Sequence, residues 1–201
     1  MFKSKIEDSA MVSIRPLVLA SASPRRAELL RAAGIEFDVI AADVDETMDA
    51  EEWPDGYVRR IAQTKAEVVR AQAGGRPVLA ADTIVIVEGQ VLGKPADAND
   101  AKRMLRLLSG REHTVMTAVH LAHRTVEVRV ERTIVEFAPL TEAEIDWYVA
   151  SGEPLDKAGA YAIQGLASRF AARINGSYSN VVGLPVAVVY QLCTNAGLLI
   201  S

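Results

Sequence analysis

Short apolar runs alternate along the chain with stretches that carry apolar residues at helical intervals. Residues 17–20 are an unbroken apolar run of strand length. A helix is predicted from Pro24 to Gly34, with Ser23 suited to the N-cap, Pro24 to the first helical position and Gly34 to the end. Residues 37–42 read as a second strand, followed by the acidic stretch Asp43-Val44-Asp45-Glu46 and a loop. From Pro54 to about Ala73, Val58, Ile61, Ala62, Val68 and Val69 form one helical stripe, and Lys65 falls inside it. Residues 78–87 are the strongest strand, turned by Glu88-Gly89-Gln90 and returned by Val91-Leu92 before Gly93-Lys94-Pro95. A helix over residues 98–108 stops at Ser109-Gly110. Residues 114–122 and 125–137 read as an antiparallel pair, with Val126, Val128 and Val130 alternating. Thr141-Glu142-Ala143-Glu144 is a capping box for a short helix that ends at Ser151-Gly152. Residues 161–163 and 170–174 suit short strands, Asn175-Gly176-Ser177 a turn, and Pro185 opens a last helix ending near Gly197.

This order predicts an α/β fold: an elongated mixed β-sheet flanked by helices, in two lobes with a central cleft as the default ligand site. The length of 201 residues suits one domain. The expected division is a flexible N-terminal tail, residues 1–15, and a single domain over residues 16–201. The first fifteen residues lack the apolar run of a signal peptide. The most apolar stretches, residues 78–87 and 181–189, are about half the ~20 residues that a membrane helix needs. A cytosolic chain with no membrane partner is expected. One cysteine, Cys193, excludes an intrachain disulfide and a cysteine-rich zinc site. The net charge of −4 disfavours nucleic acid as the main partner, but a compact anion depends on local cations and stays open.

Candidate chemistry lies where packing alone would not place polar groups. Ser21-Ala22-Ser23-Pro24-Arg25-Arg26 puts two arginines at a helix N-terminus, where they oppose the dipole unless an anion docks. Asp82 interrupts an apolar strand, so it must be paired, protonated or liganded; Thr83 adds a second polar group beside it. Lys65 on its apolar stripe fits either snorkelling or a site role. Lys94 sits in a stiff Gly-Lys-Pro turn, Glu46 ends the acidic run and Gln164 follows a short strand. His113, His120 and His123 lack metal-ligand spacing and read as ordinary, and Cys193 as core. Four cations, Arg25, Arg26, Lys65 and Lys94, with two carboxylates, Glu46 and Asp82, are an inventory for handling a polyphosphate with a divalent metal.

Those motifs, together with Tyr161-Ala162-Ile163-Gln164-Gly165 and Gly176-Ser177-Tyr178, occur in the order seen in the Maf family, which the chain resembles over about residues 16–198. The resemblance implies a nucleoside triphosphate pyrophosphatase related in fold to inosine triphosphate pyrophosphatases. It uses a divalent metal cation, Mg2+ or Mn2+, and commonly forms a homodimer. Asp82-Thr83 and Ile163-Gln164-Gly165 resemble the branch acting on dTTP and UTP. By that resemblance Asp82 is the proton acceptor, with Glu46 and Lys65 beside it. Ser21, Ser23, Arg25, Arg26, Lys65 and Lys94 bind phosphate. Arg25, Thr83 and Gln164 set base choice, and Glu46 and Asp82 hold the metal. The implied roles are nucleotide-pool sanitation and cell-division arrest. Two competing readings are a non-catalytic nucleotide- or nucleic-acid-binding protein of cell-division control and a phosphatase that removes only the terminal phosphate.

Overall fold

The computed structural model describes residues 13–49 and 51–200. In chain order it forms β1 (Ser13–Ile14), β2 (Leu17–Leu19), α1 (Pro24–Ala32), β3 (Phe37–Val39), α2 (Pro54–Arg70), β4 (Val78–Val87), β5 (Gln90–Leu92) and α3 (Ala98–Leu108). Then come β6 (Glu112–Ala122), β7 (Val126–Phe137), α4 (Glu142–Ala150), three 3-10 turns, β8 (Ala171–Asn175), α5 (Tyr178–Val182), α6 (Val186–Asn195) and β9 (Leu199–Ile200). The turns span Glu153–Asp156, Ala158–Ala160 and Leu166–Arg169.

A seven-stranded mixed sheet has the order β3-β2-β4-β6-β7-β8, with β5 also paired to β4. β2 is parallel to β3 and to the start of β4; the other pairings are antiparallel. Period-two alternation assigns the two faces. Leu79 and Ala81 pack with α1 and α6, whereas Val78 and Ala80 pack beneath α2. Beyond them, Val85 and Val87 join α3, α4, Phe137 and Phe170 in a separate cluster, the core of a second lobe. β2 pairs with β4 only as far as Leu79, and β5 pairs with it only from Val85 to Val87. The intervening edge of β4 has no strand partner among the described residues, and this gap between the lobes is where the polar residues of β4 lie.

The capping box at Thr141 forms as the sequence predicts, with both reciprocal bonds to Glu144. Several expectations are corrected. Ser23 stands at the N-cap of α1 but its side chain makes no cap bond; its N–H donates instead to Ser21 Oγ at 3.2 Å. The second strand stops at Val39, because β2 beside it is only three residues long. Residues 161–163 are not a strand, and the strand expected at 170–174 lies one residue later. Val68 is exposed rather than part of the buried stripe. Of the expected tail, residues 1–12 lie outside the described residues, while Ser13–Ile14 pair with Leu199–Ile200 and Ile14 is buried. The helix α5 was not predicted. No helix among the described residues is long and apolar enough to cross a membrane.

Candidate active site

The uncovered edge of β4 floors a cleft of about 520 Å3. All ten residues singled out in the sequence, Ser21, Ser23, Arg25, Arg26, Glu46, Lys65, Asp82, Thr83, Lys94 and Gln164, line it. They come from the turn into α1 and the start of α1 itself, the loop before α2, α2, β4, the turn after β5 and the segment after the second 3-10 turn.

Asp82 and Thr83 are neighbours on a strand, so they face opposite sides. Asp82 points to α2. There Lys65 Nζ lies 2.7 Å from Asp82 Oδ1 and 2.6 Å from Glu46 Oε1. Asp82 and Lys65 are both only 6% exposed, so Lys65 does not snorkel: its ammonium is held inside by two carboxylates. The Tyr57 hydroxyl donates to the Glu46 carbonyl at 2.8 Å and ties the loop to α2. Lys94 is exposed, with its ammonium 3.8 Å from Glu46 Oε2.

The two carboxylates are tuned in opposite directions. Burial dominates at Asp82 and pushes its pKa up, against the pull of Lys65 and Arg26. Burial also disfavours charge on Glu46, but the hydrogen bond and charge of Lys65, with Lys94 and Arg26, outweigh it and hold that carboxyl below its usual range. Burial and the nearby Asp82 and Glu46 push Tyr57 up to about 12, so its hydroxyl stays a donor.

Thr83 faces the α1 side. Arg26 Nη2 donates to its Oγ1 at 3.1 Å, and that oxygen also lies 2.9 Å from Thr117 Oγ1 and 3.3 Å from the Gly183 carbonyl. Arg26 is buried and fixed at two further points, donating to the Gly183 carbonyl at 2.8 Å and to Ser21 Oγ at 3.1 Å. Its desolvation lowers its pKa. Arg26 therefore joins α1, β4 and the end of α5. Arg25, one position earlier, reaches across the cleft to Asp156 Oδ2 at 3.2 Å. Gln164 is exposed on the same wall.

A family model described as Maf-like protein matches residues 16–196. The chain belongs to the Maf-like family. Relatives of this Maf-like chain include a dTTP/UTP pyrophosphatase of Myxococcus xanthus, 54% identical over 182 residues, covering 90% of this chain and 93% of the relative. Another, of Shewanella oneidensis, carries the same name and is 51% identical over 192 residues, covering 91% of this chain and 99% of the relative. The fold is similar to the solved Ham1 protein of Staphylococcus aureus, with a TM-score of 0.53 at 14% identity over 90% of this chain and all of that one. A HAM1 protein from Coxiella burnetii gives a TM-score of 0.51 at 19% identity, covering 92% and 99%.

The donor set of this Maf-like chain fits a hard cation. No group of three or more potential His, Cys, Asp or Glu ligands occurs among the described residues. Glu46 and Asp82 do converge, since one ammonium bonds an oxygen of each. Two carboxylates suffice for Mg2+, which keeps waters and takes phosphate oxygens for the rest of its shell. Sequence reasoning missed Tyr57, Asp156, Lys157 and Gly183, all of which line the cleft. Tyr57 reads as core on an amphipathic helix. Gly183 acts through its carbonyl, which leaves no mark in the sequence beyond a glycine after an apolar pair.

Proposed function

We propose that the chain hydrolyses dTTP and UTP to the nucleoside monophosphate and pyrophosphate, with Mg2+ or Mn2+ as cofactor. The observation that carries this reading is buried Asp82, bonded to Lys65 beside Glu46 on the floor of a cleft whose other wall presents Arg25 and Arg26. The names borne by relatives at about half identity supply the substrate class.

A triphosphate carries about four negative charges near neutrality. Arg25, Lys94 and the N–H groups at the start of α1 offset them, while Arg26 fixes the frame from beneath. Asp82 orients a water for in-line attack on the α-phosphorus and accepts its proton at the carboxylate. Its raised pKa brings it closer to the proton it must take. Lys65 holds both carboxylates so that neither turns away. A divalent cation held by Glu46 and Asp82 would neutralise phosphate charge and polarise the phosphoryl oxygens. Pyrophosphate leaves against the cations of the opposite wall. Gln164 offers an amide to the pyrimidine edge, and Thr83 acts beside it through the Arg26 side chain it holds. A site that bonds a polar edge rejects bases that leave its groups unpaired.

Incubation of the protein with dTTP and Mg2+, followed by product analysis, tests this. The expected products are dTMP and pyrophosphate. Release of dTDP and phosphate would make it a terminal phosphatase, and tight binding without turnover would make it a binding module; either result overturns the reading. The same reading carries a cytosolic address and a homodimer, checked by cell fractionation and light scattering.

A further inference from the structure

Asp156 and Lys157 line the cleft but have no part in the mechanism above. They end the first 3-10 turn and lead into the second. This segment is pinned from two sides. The Gly159 N–H donates to the Gly93 carbonyl at 3.0 Å, next to Lys94. Gly159 has φ +69°, and a Cβ there would lie 2.7 Å from Val85 Cγ2, so only glycine fits. Ala160 follows at φ +57° and is wholly buried, a conformation a non-glycine residue keeps only where its surroundings impose it. Residues 156 and 157 are thus presented by a rigid wall, not by a loose loop.

The side chains are divided in an informative way. The Lys157 ammonium donates to the Glu153 carbonyl at 2.8 Å and pairs with the Asp156 carboxylate, and its side chain is 13% exposed. The Asp156 side chain is 65% exposed and accepts from Arg25 Nη1 across the cleft. One carboxylate of the second lobe therefore occupies a cation on each wall. A triphosphate offers the same acceptor chemistry with more charge. Arg25, Arg26, Lys65, Lys94 and Lys157 exceed Glu46, Asp82 and Asp156 by two charges, matching the two or so negative charges of a triphosphate carrying one divalent cation.

We propose that Lys157 is a further phosphate-binding cation and that Asp156 is its exchangeable counter-ion, which yields Lys157 and Arg25 to the triphosphate. This rests on the cleft being the triphosphate site. Exchange is easy for Asp156, because its own side chain already faces solvent and the freed carboxylate rehydrates. Lys157 stays in place as the carboxylate leaves, because the Glu153 carbonyl still holds its ammonium.

The test measures steady-state hydrolysis of dTTP and, separately, calorimetric binding of inorganic tripolyphosphate, for the parent chain and three variants. Asp156→Asn should lower KM and the tripolyphosphate Kd about two- to fivefold, with the change on KM rather than kcat and fading at high salt. Lys157→Gln should raise both about ten- to a hundredfold, and Lys157→Arg, which keeps the charge, should restore most of the binding. Unchanged binding in Lys157→Gln, or weaker binding in Asp156→Asn, would overturn the proposal. Thermal melts of each variant separate lost binding from lost folding. A parent chain that binds tripolyphosphate but does not cleave dTTP would sink the proposed function and leave this inference to be judged on binding alone.

Discussion

Asp82 and Thr83 are adjacent in the chain yet serve different walls, because a strand turns successive side chains to opposite faces. Asp82 meets Lys65 on α2, while Thr83 meets Arg26 on α1. Asp82→Asn should lower turnover by about 10²- to 10⁴-fold, the range for losing a general base. It should cost little stability, since Lys65 keeps Glu46 as its counter-ion. Kinetics on the folded variant check this, and near-parent turnover would remove Asp82 from the base role. The residue types were legible in the sequence: a carboxylate in an apolar strand and a lysine on an apolar stripe both call for partners. The pairing itself was not, because residues 46, 65 and 82 meet only once α2 lies across the sheet.

At the scale of elements, the second lobe rests on close contacts. Gly159→Ala should destabilise the protein by about 2 kcal/mol, since the added carbon meets Val85 and the backbone is left-handed there. Denaturant titration measures the loss. On β6, buried His113 places Nε2 2.9 Å from the Tyr161 hydroxyl, with its ring edge-on to Phe137 and Tyr161. Burial pushes its pKa down to about 4. The unfolded chain takes up that proton near pH 6.5, so the contribution of His113 is fully present above that pH. It is lost as pH falls from about 6.5 to about 4, by up to about 3 kcal/mol. Urea unfolding across that window should show the decline, and His113→Gln, which does not titrate there, should flatten it. Element boundaries were the least legible feature. The short strand at residues 161–163 failed because the left-handed pair Gly159–Ala160 turns the chain away, a tertiary constraint with no local signal beyond one glycine.

For the whole molecule, β4 and β6 run through both lobes and join cores that would otherwise be separate. The lobes should therefore unfold together. In a Trp53→Phe variant, emission from Trp147 on α4 and the amide circular dichroism signal should share one transition; separate midpoints would show independent lobes. The same arrangement puts Arg25 and Arg26 on one wall of the cleft and Gln164 on the other, so under the proposed function selectivity depends on both walls. Hydrolysis of dTTP and UTP should exceed that of GTP by at least tenfold, and chelation of divalent metal should abolish it. A substrate panel with and without chelator decides both.

The sequence by itself determined the mixed α/β class, most of the elements and ten of the residues that line the cleft. It could do so because hydrophobic period and turn residues are local, and because a polar group in an apolar run needs a reason wherever it sits. Only the tertiary structure decided which groups meet: that Lys65 bridges two carboxylates, that the Thr83 hydroxyl is taken up by Arg26 and Thr117, and that Asp156 spans the cleft to Arg25. Those contacts join residues far apart in the chain, and their geometry is set by how the helices pack on the sheet, which no local pattern encodes.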